Sequence, residues 1–435
     1  MSAFDKIIGY SAEKKELKQI GDTLKNREVY EKLGVSSPRG LLLHGEPGVG
    51  KTLMAHALIE DSCRNVYSCR KDLPNGDFVK AIKTTFDEAA KNAPSIVLLD
   101  DMDKFANGDE IHRDAEEYVT VQSCIDEVKD KEVFVLATAN KLHTLPDSLL
   151  RAGRFDRIME VETPHGEDAV KITEHYLKSK KFAASIDARA IARIMDGRSC
   201  AVLATVINEA GLYAGYERAE EITMAHFMKA CLRTVFDVSA VSSDGDEDWY
   251  TAFSDGENPF AQVVYHEAGH AVIAEVLSPE SVTLVSVSDK NGVHSGFTSY
   301  YGSTAVSPIK RQQNRVISSL GGAAALEQKF GIVDPGATDD ISQAFRMVQS
   351  LVRDYCSCGF HLYGRGYRDS EDMQARGEQA VASEVERYYK KAKEIIAQNS
   401  EFFEKIAKAL AEKKLLGTEE IREIKKSCRI VPASV

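Results

Sequence analysis

The stretch 40-GLLLHGEPGVGKTLMAHAL-58 limits the possible folds of this chain more than any other. A short apolar run of strand length leads into a glycine-rich loop, and a helical pattern follows at once. Glycines at 45, 48 and 50 permit a tight turn whose backbone N–H groups face phosphate oxygens, and the helix N-terminus adds its dipole. Lys51 supplies positive charge to the β- and γ-phosphates, and Thr52 supplies a hydroxyl for Mg2+. An ordinary glycine turn would explain neither residue. Gly45, Pro47, Gly48, Val49, Gly50, Lys51, Thr52 and Leu53 are therefore the candidate residues for binding ATP with Mg2+. Such a loop needs a buried strand before it and a helix after it, which predicts an α/β domain with a parallel sheet.

The rest of the first third agrees. "NVYSC", "SIVLLD", "EVFVLATA" and "RIMEVE" alternate with helical patterns from about residue 39 to 162, as in a sheet covered on both faces. "SIVLLDD" ends in Asp100 and Asp101 at the carboxyl edge of the sheet, where ligands bind. Asp100 is placed to hold Mg2+ and Asp101 to polarise the attacking water. Asn140 ends the next strand at the same edge. Arg151 and Arg154, in "RAGRFDR", are candidates to stabilise charge on the transferring phosphate, from the same or a neighbouring subunit. Residues 168 to 234 carry only helical patterns.

A chain of 435 residues accommodates two or three domains. Its 67 acidic against 55 basic residues, a formal charge of -12, argue against a general binder of nucleic acid or anionic membrane. Eight cysteines without a C-x-x-C pair or a regular framework read as reduced thiols in the cytoplasm, Cys356 and Cys358 among them. No apolar run approaches the roughly 20 residues of a membrane span, and the first residues lack the apolar core of a signal peptide, so no membrane contact is expected from this chain. No Lys or Arg stands between Arg233 and Lys290. Residues 237–258, "SSDGDEDWYTAFSDGEN" included, read as an acidic linker that Trp249, Tyr250 and Phe253 tack onto a neighbouring surface.

Beyond it, "YHEAGHAVIAEVL" sets His266 and His270 four residues apart, on one face of a helix and able to aim at one point. Two imidazoles with an adjacent glutamate fit a zinc site with open coordination, Glu267 being the base that takes a proton from water. Two strands follow, "SVTLVSVS" and "GVHSGFTSYY", the second able to add a substrate strand at its edge. Helices are expected from there to the end, one opened by Ser307-Pro308 and another capped by Thr338.

The ordered set "FDKIIGYSAEKKEL", "GEPGVGKT", "LLDDMD", "ATAN", "LLRAGRFDR", "INEA", HEAGH and "GATDDISQA" resembles the FtsH family of AAA+ zinc proteases over nearly the whole length. The resemblance implies an AAA+ P-loop ATPase domain, a parallel sheet (1–164) plus a small helical lid (165–236), followed by a mostly α-helical zinc metallopeptidase domain (259–435). It makes Lys51 and Thr52 the Walker A residues, Asp100 and Asp101 the Walker B pair, Asn140 sensor 1, and Arg151 and Arg154 arginine fingers. It also implies a homo-hexamer working on unfolded or flexible protein substrates in protein quality control. The third zinc ligand, by the resemblance, is Asp340. Chemistry agrees only that a further ligand is needed, and leaves Asp339, Glu327, Asp334 and His294 as alternatives. A metzincin continuation is excluded by Ile273 and Val276, which stand where glycine and histidine would be.

Three features depart from the family pattern. Asp101 stands where the family has glutamate, moving the carboxylate by about 1.5 Å, a shift on the scale that costs about a hundredfold in rate. The loop "LPNG" puts Pro74 where the family carries the aromatic that grips substrate in the pore, with Phe78 the nearest replacement. Finally, the family's transmembrane helices do not precede the ATPase domain in this sequence. It is read as a cytoplasmic form, membrane-associated if an anchor belongs in front of it. The rival reading is a nucleotide-controlled binding or remodelling ATPase with weak or ATP-independent peptidase activity. Asp101 and Pro74 favour it; an intact HEAGH opposes it.

Overall fold

The computed structural model describes residues 2–106, 115–236, 256–290, 293–302, 308–362 and 370–434. They fall into two units, Met1–Phe236 and Asp237–Val435. Most of the expected acidic linker, with Trp249, Tyr250 and Phe253, lies outside the described residues, as does Ser307. No helix among the described residues is long and apolar enough to cross a membrane.

The first unit contains strands β1 (Gly40–His44), β2 (Asn65–Cys69), β3 (Ser95–Leu99), β4 (Val133–Ala139) and β5 (Arg157–Glu160). They pair in the order β2-β3-β4-β1-β5, every pair parallel. β3 and β4 are buried along their whole length, which is why their sequences are continuously apolar instead of alternating. The helices are α1 (Ser11–Lys25), α2 (Arg27–Lys32), α3 (Lys51–Ser62), α4 (Asn75–Lys91) and α5 (Glu116–Glu127), then α6 (Gly166–Leu177), α7 (Ala188–Ile194), α8 (Cys200–Tyr216) and α9 (Met224–Val235). The step from β1 to β2 crosses the sheet one way and that from β2 to β3 the other, so right-handed crossovers put α3 and α4 on opposite faces. Because β4 lies between β1 and β3, the nucleotide loop, Asp100 and Asn140 emerge together at one edge. The N-terminus of α8 touches that loop directly, with the Ala201 N–H donating to the Gly48 carbonyl at 3.1 Å.

One expectation fails here. Phe78 is fully buried, packed edge-on against Phe105 with ring centroids 4.9 Å apart, so it cannot stand in for the exposed loop aromatic that the resemblance implies. It lies on the inner stripe of α4 with Ile82 and Phe86, and burial of that stripe decides its direction. The apolar side chain displayed by the "LPNG" loop is Leu73, 45% exposed.

The second unit is built around α10 (Pro259–Leu277). Val264, Ala268, Ala271, Val272 and Ile273 are all fully buried, and a helix apolar on every side belongs in an interior. Its start is set by Asn258, whose side-chain oxygen accepts the Phe260 and Ala261 N–H groups at 2.9 and 3.1 Å, with Pro259 at the first helical position. Around it lie α11 (Pro308–Ser319), α12 (Gly321–Phe330), α13 (Thr338–Arg353), α14 (Glu371–Gln398), α15 (Ser400–Lys413) and α16 (Thr418–Lys426). Thr338 is the first helical residue of α13 and not its cap; Ala337 holds that position.

α10 and α12 cross where neither has a side chain. A Cβ on Gly269 would stand 2.4 Å from the Gly321 carbonyl oxygen, so only glycine permits this approach. The antiparallel sheet has the order β7-β6-β8, from β6 (Val282–Lys290), β7 (Val293–Tyr300) and β8 (Leu415–Gly417). β8, three residues inside an otherwise helical stretch, gives no legible strand pattern. The exit of α10 is pinned by buried Glu275, which accepts the Glu280 and Val282 N–H groups at 3.0 Å and pairs with Lys425 of α16 at 3.1 Å.

Candidate functional site

In the first unit the glycine loop closes around a lysine. Lys51 Nζ donates to the carbonyls of Gly45 and Glu46 at 2.8 Å each and to Asn140 Oδ1 at 2.9 Å. Burial lowers the Lys51 ammonium below its usual range, and Asp103, Asp101 and Asp100 counter part of that shift. Gly45 has φ +146°, and a Cβ there would meet the Val161 carbonyl oxygen at 2.1 Å; Gly50, with φ +107°, turns the chain into α3. Val49 is buried, whereas Thr52 and Leu53 are exposed. The three carbonyl oxygens around Lys51 are acceptors that phosphate oxygens can replace, in a loop whose backbone N–H groups suit an anion.

Asp100 Oδ1 accepts the Thr138 hydroxyl at 2.8 Å, and the same hydroxyl accepts the Asp101 N–H at 2.9 Å. Burial works to raise the Asp101 carboxyl, but Lys104 at 2.8 Å and Arg70 at 3.2 Å outweigh it and hold the group below its usual range. Asp103 accepts the Asn140 N–H at 3.0 Å. Asp103 and Thr138 thus complete the strand-end network, and neither was singled out by sequence reasoning. The two arginines differ: Arg151 is exposed, while Arg154 is bound within its own unit to Asp126, Gln122 and the Ser148 carbonyl.

In the second unit, His266, His270 and Asp340 converge. Their facing atoms are separated by 2.9 Å between the two Nε2 atoms and by 3.2 and 3.3 Å from these to Asp340 Oδ2. Ligands about 2.0–2.1 Å from a tetrahedral zinc stand about 3.3 Å apart, so this triangle fits the ion. These three residues form the one such group found among the described residues, and Asp339, one residue away, is not part of it. Each histidine is oriented from behind. His266 Nδ1 meets Asp334 Oδ2 at 2.5 Å, and His270 Nδ1 donates to the Ser318 carbonyl at 2.6 Å, which leaves both Nε2 atoms aimed at the common point. Burial pulls the His266 imidazolium down, but Asp334 and Asp340 prevail and push it up to about 10.

Asp334 is therefore the partner of His266 and not the plain loop residue its sequence position suggests. Its other oxygen accepts the Gly336 N–H at 2.8 Å, an Asx turn foreshadowed by Asp-Pro-Gly. Glu327 pairs with Tyr389 and Lys393, away from the cluster. His294 is described only as a backbone position of β7, opposite Asp289. Glu267 is 5% exposed, and burial raises its carboxyl, with the two histidines and Thr298 opposing. The Thr298 hydroxyl donates to Glu267 Oε2 at 2.8 Å. The cluster opens into a cleft of about 870 Å³, bounded on one side by β7. Thr298 and Tyr300 of that strand went unremarked by sequence reasoning, although the period-two alternation from Gly296 puts both on one face.

Comparisons with known proteins follow the same division. Residues 41–163 match the ATPase family associated with various cellular activities (AAA), and residues 257–424 match peptidase family M41. The chain is 29% identical to the ATP-dependent zinc metalloprotease FtsH of Caldicellulosiruptor bescii, over 97% of this chain and 71% of the relative. It is 30% identical to the ATP-dependent zinc metalloprotease FtsH 2 of Sphaerobacter thermophilus, over 99% of this chain and 67% of the relative. Similarity to FtsH 1 of Phytoplasma mali is 28% over 97% and 70% respectively.

Proposed function

The chain belongs to the FtsH family of ATP-dependent zinc metalloproteases, and we propose that it hydrolyses peptide bonds of unfolded or flexible protein chains that its ATPase unit delivers. The observation that carries this reading is the His266–His270–Asp340 triangle with buried Glu267 beside it. A pure remodelling ATPase has no use for such a set, so the rival reading is not favoured.

His266, His270 and Asp340 would hold zinc, which when bound supplies Lewis acidity at the point where they converge. Glu267 takes a proton from the attacking water and passes it to the leaving amine. The Thr298 hydroxyl fixes the carboxylate in place for that transfer. In the ATPase unit Lys51 turns from its carbonyl partners to the β- and γ-phosphates, while Thr52 and Asp100 would hold Mg2+. Asp101 polarises the attacking water, Asn140 senses the γ-phosphate, and Arg151 reaches the nucleotide of the next subunit of a homo-hexamer. Arg154, already bound to Asp126, acts by shaping the Arg151 turn.

The working parts are an ATPase core (1–164), its helical lid (165–236), an acidic linker (237–258) and the peptidase (259–435). With Leu73 and Pro74 in place of an aromatic grip, the preferred substrates are chains that need little unfolding. The site of action is the cytoplasm, at a membrane if an anchor precedes the residues given.

Hydrolysis of a short flexible fluorogenic peptide tests the peptidase half. Glu267→Gln is expected to lower kcat about a hundredfold or more, and chelation to abolish turnover until zinc is restored. Equal rates for wild type and Glu267→Gln would refute the assignment.

A further inference from the structure

The strand bordering the cleft carries a group that the scheme above leaves unused. In β7, Gly296, Thr298 and Tyr300 share a face. Two of the three touch the general base: a Cβ on Gly296 would stand 2.5 Å from Glu267 Cγ, and Thr298 bonds Glu267 Oε2. Tyr300 is the next residue on that face, about 6.8 Å further along the strand. It lines the same cleft as His266, Glu267, His270 and Asp340, with 44% of its surface exposed. Glu267 and Asp340 are the acids whose charge reaches its phenol, and Arg315 of α11 is the cation that opposes them. The hydroxyl, a donor in the ordinary protonated form of a phenol, lines the cleft beside the reacting centre.

We propose that Tyr300 is a catalytic residue whose hydroxyl donates a hydrogen bond to the oxygen of the scissile carbonyl as that oxygen gains negative charge. The hydroxyl proton stays on Tyr300 throughout; the proton that moves is the one Glu267 carries from water to the leaving amine. The Tyr300 side chain stabilises a charge absent from the bound peptide, so it contributes to kcat and little to KM. This inference rests on the peptidase reading above.

The test compares wild type, Tyr300→Phe and Glu267→Gln on one flexible peptide. It also measures binding of a phosphinate peptide, which mimics the charged tetrahedral species, and of the uncleaved peptide in the Glu267→Gln and Glu267→Gln/Tyr300→Phe proteins. Circular dichroism and zinc content establish that the variants are folded and loaded. Tyr300→Phe is expected to lose on the order of a hundredfold in kcat, with KM unchanged. It should lose comparably in phosphinate affinity while uncleaved peptide binds as before. A rise in KM or weaker binding of the uncleaved peptide, with kcat intact, would overturn the proposal and make Tyr300 a wall of the cleft. Undiminished phosphinate binding would overturn it too, whatever the activity. Wild type no faster than Glu267→Gln would instead remove the peptidase reading beneath it.

Discussion

Asp334 shows how much of a metal site lies behind its ligands. Its carboxylate meets the far nitrogen of His266, fixing the ring's tautomer and its aim. Asp334→Asn keeps the size but removes the charge, and zinc affinity is expected to fall about 10–100-fold, as competition with a coloured chelator would measure. Unchanged affinity would mean that His266 is aimed by packing alone. The convergence of His266 and His270 beside Glu267 was legible from the sequence because a helix makes i and i+4 neighbours by geometry. Asp334 was not, because its partner lies 68 residues away and only the fold brings the two together.

At the scale of elements, the site depends on how closely two helices approach. α12 passes over the HEAGH turn of α10 with glycines at the contact, and a Cβ on Gly322 would stand 2.2–2.5 Å from three atoms of the His266 ring. Gly322→Ala must therefore displace the imidazole or push the helices apart. It is expected to cost about 1–3 kcal/mol in stability, read as a lower Tm, and to reduce bound zinc measured by elemental analysis. Wild-type Tm and zinc content would show that the crossing has slack. Sequence periodicity found α10, β6, β7 and all five strands of the parallel sheet. It missed β8, which is three residues long and owes its pairing to β6. Phe78 fails for a related reason: an aromatic near a loop looks available until α4 turns it into the core.

For the whole molecule, the motifs made the architecture readable because each demands a particular context. A phosphate loop needs a strand before it, and a two-histidine helix needs a third ligand brought from elsewhere. Less legible is how well the two halves cooperate, because that depends on distances no motif encodes. Asp101 is shorter than the family's glutamate and is held by Lys104 and Arg70. The exposed loop residues include Leu73 and Pro74, and the "LPNG" stretch holds no aromatic. Both features predict a machine suited to chains that are already loose. The central claim, that ATP drives delivery to the zinc centre, is tested most directly by degradation of a labelled, intrinsically unfolded protein with ATP, with ADP and without nucleotide, Glu267→Gln serving as the blank. Cleavage with ATP that falls to the blank under the other two conditions is the predicted result. Cleavage at the same rate whatever the nucleotide, or none above the blank with ATP, would contradict it.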